Sequence, residues 1–412
     1  MQIELYIKDL NVMKLKNIIL APVALVALMA TPVFADDGGF KLLQTPEYKA
    51  ADGSFSLKAR GRILQDFGWF DDSDGGYDVS ESETRAGRLG FELKTSNNLK
   101  LKAEIDFTGK GVSFTGLTLS WKGPVTITAG NFKIAPSLEE AGSSRYITFM
   151  ERGSFTDAFS ISRNLGMSIS KSGSNWTWVV GAGKGNINAS LANTPVTVAA
   201  RGTYSPEVGE EVKIHLGASL RYRGTTGTGS DLRYRQRPHQ HISDRFINTG
   251  KIADSDMLYG VEFAAIMGPF AIQAEYDILK ADLPSPAVGQ ADPSFSGGYV
   301  SASYFITGES RNYAANKGSF GSVKPKSSVD DGGIGAWQLA VRYDTIDLSD
   351  EGIFGGKQNT YIAGVNWYLT KQVRVTFNAS RSNISDATLV SANGADGKNT
   401  VNAYGIRLQA SW

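Results

Sequence analysis

The chain of 412 residues has no cysteine, only 3 histidines and almost no charge imbalance, with 42 lysines and arginines against 41 aspartates and glutamates. Without cysteine there are no disulfides, no thiolate metal sites and no cysteine nucleophile. A near-neutral balance removes any composition-level case for nucleic-acid binding. Long apolar runs are missing too: beyond the N-terminus nothing approaches the roughly 18 apolar residues that a spanning helix needs. What the chain does have is 46 glycines and 10% aromatic residues, a mixture that fits strands better than helices.

Lys14 and Lys16 precede an apolar stretch from Ile18 to Met29, and Val33-Phe34-Ala35 follows as a small-residue exit before Asp36. This basic, apolar, cleavable order is that of a secretory signal. Residues 1–35 are therefore read as a signal peptide, with Met13 a candidate true start, and residues 36–52 as an N-terminal periplasmic segment. Cleavage removes Lys8, Lys14, Lys16, Glu4 and Asp9, leaving 39 basic against 39 acidic residues.

From Gly53 onward, apolar and polar residues alternate in short segments, the mark of strands with two unlike faces. In the last segment Tyr404, Ile406, Leu408, Ala410 and Trp412 share one face, and Arg407, Gln409 and Ser411 the other. Val212–Arg223, Leu99–Phe107, Phe55–Trp69, Phe270–Ile278 and Val373–Arg381 repeat the pattern. In a soluble sandwich the polar faces would meet bulk water. Segments of about ten residues with aromatics at their ends, about sixteen in number, instead match an outer-membrane barrel. Such a barrel puts its apolar face in lipid and its charged face in a lumen, and closure leaves no unpaired backbone in the bilayer.

Short connections such as Ser96-Asn97-Asn98 and Gly268-Pro269 alternate with long polar ones: 224–256, 281–294, 347–358 and 384–399. Short inner turns and long outer loops place both termini in the periplasm. Two stretches, 204–211 and 308–333, are longer than simple turns and depart from the pattern. One connection is distinct. Gly130 to Gly166, GNFKIAPSLEEAGSSRYITFMERGSFTDAFSISRNLG, is too long and too rich in both apolar and charged residues for a solvated loop, and loops of this length are usually functional. It is the third outer loop by order.

This segment resembles the phosphate-selective porin O and P family in its Gly130-Asn131-Phe132-Lys133 start, the Leu138-Glu139 step, Ser143-Ser144-Arg145, Glu151-Arg152, and Arg163 with Gly166. Further matches are GRILQDFGWFD (61–71), RAGRLGFELK (85–94), ITGESRNY (306–313) and GVNWYL (364–369). The resemblance implies an all-β, 16-stranded antiparallel transmembrane barrel over residues 53–412. It further implies a third outer loop, about residues 131–162, folded inward as a constriction, and a homotrimer. In the outer membrane of a Gram-negative bacterium, such a channel would pass small anions passively, phosphate or polyphosphate among them. Outer-membrane lipid is the other expected partner; no cofactor, metal or nucleic acid is expected.

The family's anion-binding positions fall on Arg62 of the first strand, Arg85 of the second, and Ser143 and Arg152 of the loop, with Lys133 and Arg145 beside them. Strand parity also puts Lys58, Arg60, Arg62 and Arg88 in the lumen. By the same parity thirteen basic residues, Lys58 to Arg407, face inward against eight acidic ones. Arginine suits oxyanions because its planar fork donates two parallel hydrogen bonds. Arg62 and Arg88 are read as facing an anion rather than only pairing across the wall. Arg85 falls on the lipid face by strict alternation, so either a bulge re-aims it or the register differs by one. Two residues depart from the phosphate-specific pattern: Glu140 stands where a lysine is expected, and Thr115 where the fourth strand should carry a carboxylate. An acidic group in a narrow low-dielectric passage opposes a multiply charged anion, so only weak block by phosphate is expected. Glu139 and Glu140 are adjacent and should not converge as a catalytic pair, and no nucleophile elbow accompanies them. No enzyme activity is expected. His239 and His241 lie in a polar loop and read as solvated. The alternatives are a general porin for small hydrophilic solutes and a plugged barrel acting as adhesin or enzyme.

Overall fold

The computed structural model describes residues 45–412 except 74–77, 110, 193, 210–211, 226–231, 285 and 394–395. The expected signal peptide, 1–35, and residues 36–44 lie outside the described residues.

Sixteen strands form the wall. The first eight are β1 (Phe55–Asp72), β2 (Val79–Thr95), β3 (Leu99–Asp106), β4 (Ser113–Lys122), β5 (Thr126–Lys133), β6 (Arg163–Ser172), β7 (Trp176–Lys184) and β8 (Val196–Tyr204). The remaining eight are β9 (Val212–Gly224), β10 (Ser255–Met267), β11 (Phe270–Asp282), β12 (Ser294–Phe305), β13 (Ala336–Asp350), β14 (Ile353–Tyr368), β15 (Val373–Ser385) and β16 (Asn399–Ser411). Each pairs antiparallel with the next, and β1 pairs with β16, from Arg62 opposite Ser411 to Asp72 opposite Val401, closing the barrel. Two short pieces, Glu47–Lys49 against β1 and Glu207–Val208 against β9, add to the same sheet.

The alternation in sequence becomes two environments. On β16, Tyr404 is 47% exposed on the outer face, whereas Ala403 and Arg407 on the inner face are at most 2% exposed. Aromatic pairs mark the inner rim: Trp337 and Trp367 stack at 5.2 Å, and both indole N–H groups donate to the Ile334 carbonyl. That is the polar-tipped, apolar-bodied geometry of a membrane-interface belt. The terminal Trp412 ring covers Gly61, where an added Cβ would lie 2.1 Å from it.

The segment expected as the long loop 347–358 is instead the tip of a hairpin. β13 runs to Asp350 and β14 starts at Ile353, joined by Glu351-Gly352 at φ +47° and +78°. Two left-handed residues match the strand twist; the polar residues that suggested a loop are strand residues above the greasy band. The extended stretch after β12 is confirmed as unusual: it carries a small hairpin, Tyr313–Ala314 with Ser319–Phe320, and packs inside the periplasmic end. There Phe320 joins Leu138, Ala264, Ile266 and Ala271, and the Tyr313 hydroxyl lies 2.6 Å from His215 Nδ1.

Candidate functional site

After β5 the chain carries two short helices, α1 (Leu138–Ala141) and α2 (Ser154–Ala158). Lumen-facing side chains of β13–β16 hold this segment by its backbone. Arg374 donates to the Ile147 carbonyl at 2.7 Å, Asn366 to Thr148 O at 2.9 Å and Gln409 to Arg145 O at 3.2 Å, while Asn378 accepts from Met150 N at 2.8 Å. Arg342 lies between the Phe149 and Tyr299 rings and donates to Glu139 at 2.6 Å. Above this the outer hairpin, Leu232–Gln236 with Ile247–Ala253, folds over α2. Phe155, Phe159, Tyr234, Phe246, Phe295 and Leu348 form one buried cluster there. These contacts all lie along β10–β16.

On the other side a cavity of about 710 Å³ remains, lined by β1–β6, the segment after β5, Lys317 and Arg407. It gathers Arg60, Arg62, Arg85, Arg88, Lys133, Glu140, Ser143 and Arg152. Lys58 and Arg145 are not among its lining; Arg145 is buried, with its Nε 3.3 Å from Ser143 Oγ and its guanidinium over Tyr146. Eleven cationic and four carboxylate side chains line the cavity.

Most of these cations are paired. Arg62 donates from Nη2 to both Glu104 oxygens (3.0 and 2.8 Å) and from Nη1 to the Ser143 and Ser144 hydroxyls. Arg88 meets Asp106 at 2.6 Å and Glu104 at 3.5 Å, and Arg60 meets Glu92 at 2.9 Å. Arg62 and Arg88, read from sequence as anion-facing, are therefore both built into wall pairs. Thr115 is a bulge residue whose hydroxyl donates to Glu104 at 2.9 Å. Arg85 is likewise skipped in the β1–β2 register, which runs Leu64–Ala86 and then Gln65–Thr84. The extra residue turns the side chain inward, to Glu151 at 3.2 Å. Glu151 is shared with Arg407 at 3.0 Å, and Arg407 also clamps Asp66 at 2.6 Å. Burial opposes charge on Glu151, but Arg85 and Arg407 outweigh it and hold the carboxyl below the usual carboxylate range.

Glu139 and Glu140 diverge: Glu139 takes Arg342 and the Gly153 N–H, whereas Glu140 is bridged by Lys133 and by Arg152 Nε at 2.6 Å. His239 is not solvated. Its Nε2 lies 2.9 Å from Ser154 Oγ and 3.2 Å from Asp344, and the residue is 8% exposed. Both contacts fall on one nitrogen, so the trio lacks the relay geometry of a hydrolase. Among the described residues no cluster of histidines and carboxylates could hold a metal ion.

Two smaller cavities lie outward. One, about 360 Å³, shares Arg85, Glu140, Glu151 and Arg152 with the first and adds Arg237, His241 and Arg245; the next, about 370 Å³, shares Arg245 and Asp157 and adds Arg223, Arg233 and Arg235. Burial and nearby Arg237 lower the Arg245 guanidinium to about 10, still cationic at neutral pH.

The family model described as phosphate-selective porin O and P matches residues 57–412. The chain belongs to this family. Porin O of Pseudomonas aeruginosa is 27% identical over 383 residues, covering 80% of this chain and 83% of that protein. An uncharacterized protein of Caulobacter vibrioides is 32% identical over 410 residues, 94% of this chain and 81% of its own. Among solved structures, OmpT of Vibrio cholerae has a TM-score of 0.54 at 10% identity, covering 89% of this chain and all of that one. The anion-selective porin from Comamonas acidovorans has a TM-score of 0.52 at 13% identity, covering 87% and 100%. This porin is thus an outer-membrane channel of a Gram-negative cell.

Sequence reasoning missed several of the porin's lining residues. Arg163 stands out in the sequence only as a motif residue, and Lys100 and Lys102 only by their place on the polar face of the Leu99–Phe107 segment. Lys317 arrives on the overlong turn. The Arg233, Arg235 and Arg237 row had a readable signal, basic residues at every second position, hidden inside a stretch taken as loop.

Proposed function

We propose that this porin is an anion-leaning diffusion channel whose water path follows the β1–β6 wall, and that it works as a homotrimer. The observation that carries the reading is the excess of cations over carboxylates around the central cavity. The two outer cavities share lining residues with it and add arginines, so they read as stages of one passage, narrowed by the segment after β5. Clefts lined by one sign of charge concentrate counter-ions. The Comamonas porin of like fold is anion-selective, and OmpT of Vibrio cholerae has a trimer form, both consistent with this reading. Phosphate is a fitting solute but should bind weakly, because Glu140 neutralises charge on Lys133 and Arg152. Zero-current potentials of the purified protein in a planar bilayer, across a KCl gradient, test the selectivity: chloride preference is expected, and potassium preference would sink the reading. No preference and no block by phosphate would favour a general porin for small hydrophilic solutes. Enzyme activity has no supporting constellation among the described residues.

A further inference from the structure

We infer that the oxyanion subsite of this channel is set by Lys102 and Arg163, which line one cavity at the two ends of a stretch of wall poor in side chains, rather than by the arginines already paired with carboxylates. The inference rests on the anion-leaning reading above and names the residues responsible.

Ion pairing divides the lining cations into two groups. Arg60, Arg62, Arg88, Arg152 and Arg407 each meet a carboxylate within 3.5 Å. Lys100, Lys102, Arg163 and Lys317 line the same cavity, and among the described residues none of the four has a carboxylate within ion-pairing distance or a side-chain hydrogen bond; of these, Lys102 and Arg163 border the stretch of wall poorest in side chains. Both sit at the level of the inward-packed segment. Lys102 is the next lumen-facing residue before Glu104 on β3, and Arg163 opens β6 in register with Lys133. Glu104 and Glu140, carboxylates lining this part of the cavity, are each already shared by two cations.

The strand row that starts at Lys102 carries few side chains as far as Gly166, three residues along β6 from Arg163. Lys102 pairs with Thr118, Thr118 with Gly130, and Gly130 with Gly166, while Gly116 stands beside Thr118. An added Cβ at Gly116 would meet nothing within 4 Å. No long side chain of that row reaches across the gap, and the Thr118 hydroxyl adds a donor. An ammonium, a planar guanidinium fork and a hydroxyl around open space suit a small oxyanion, with inorganic phosphate or sulfate as the class. Paired arginines keep the wall rigid; an unpaired cation keeps its charge available to a ligand.

The test uses the full-length protein in planar bilayers, with phosphate titrated against chloride current and zero-current potentials taken in a KCl gradient. In Lys102→Gln/Arg163→Gln the phosphate concentration for half block should rise about tenfold, the size expected for two unit charges in a confined passage. Chloride preference should fall with it. Arg163→Lys, which keeps the charge, should retain most of the preference, and this separates a charge role from a structural one. Neither residue is paired, so the double variant should keep the folded barrel's resistance to detergent. Half block unchanged within about twofold in the double variant, with chloride preference intact, would overturn the subsite and leave the channel reading standing. Potassium preference in the unaltered protein would overturn both.

Discussion

At the scale of single residues, Glu140 is where charge is withheld from the passage. It bridges Lys133 and Arg152, so the trio carries one net positive charge in place of two free cations. Glu140→Gln should tighten phosphate block by about threefold, since one charge in this confined passage is worth about half a decade in affinity; titrated block of chloride current measures it. Glu151 makes a pH statement. Arg85 and Arg407 hold its carboxyl below the ordinary range. A depressed carboxylate contributes stability that is complete above the unfolded-state value, about 4.3, and is lost as pH falls through the lower folded value. Open-channel noise should therefore stay flat from pH 7 to about 4.5, whereas Glu151→Gln should flicker throughout that range; noise rising already near pH 6 in the unaltered channel would contradict the assignment. Glu104 was legible as a lumen residue by parity, but its sharing by Arg62 and Arg88 was not, because pairing depends on which strands are neighbours. Arg85 shows the limit of parity most clearly: alternation cannot say where one extra residue has been slipped in.

At the scale of elements, strands were the most legible feature, since period-two patterning survives in β9, β11, β15 and β16 with bounds close to those observed. Hairpin tips were less so. Above the membrane both faces of a strand become polar, so 347–358 looked like a loop although its backbone is a tight two-residue turn. Glu351 occupies a left-handed conformation, φ +47°, where asparagine is at ease. Glu351→Asn should stabilise the barrel by up to about 1 kcal/mol, read from the urea midpoint of tryptophan fluorescence in lipid vesicles; a lower midpoint would speak against the turn geometry. The two segments that fill the lumen were flagged by length alone. Their docking partners, such as Asn378 for Met150 or Leu138 for Phe320, lie far off in sequence and carry no local sign.

At the scale of the whole molecule, the wall is uneven. Strands β3–β8 have 8 to 10 residues, whereas β9–β16 have 12 to 16. With a rise of about 3.3 Å and a tilt near 45°, the low side spans about 20 Å and the high side about 30 Å, against an apolar band of about 25 Å. A side too short for lipid suits a neighbouring protomer, so in the proposed trimer the contact is expected on β3–β8. Because the sequence has no cysteine, single introduced thiols report cleanly. A fluorophore at Leu119→Cys or Met167→Cys should be shielded from brominated lipid, and one at Val261→Cys or Val341→Cys quenched; the reverse pattern would move the contact to the high wall.

The seam between β1 and β16 sets a condition on how this molecule is made. Arg407 and Asp66 lie 341 positions apart yet form a buried forked pair beside the closing strands, and Trp412 caps Gly61 with its backbone N–H on the Gly61 carbonyl. Loop-closure entropy makes such long-range contacts the slowest to form. Closure of the barrel is therefore expected to be its last folding step, waiting on the strand farthest along the chain. Until that seam pairs, the segments docked on Arg374, Asn366 and Gln409 lack the wall they lean on.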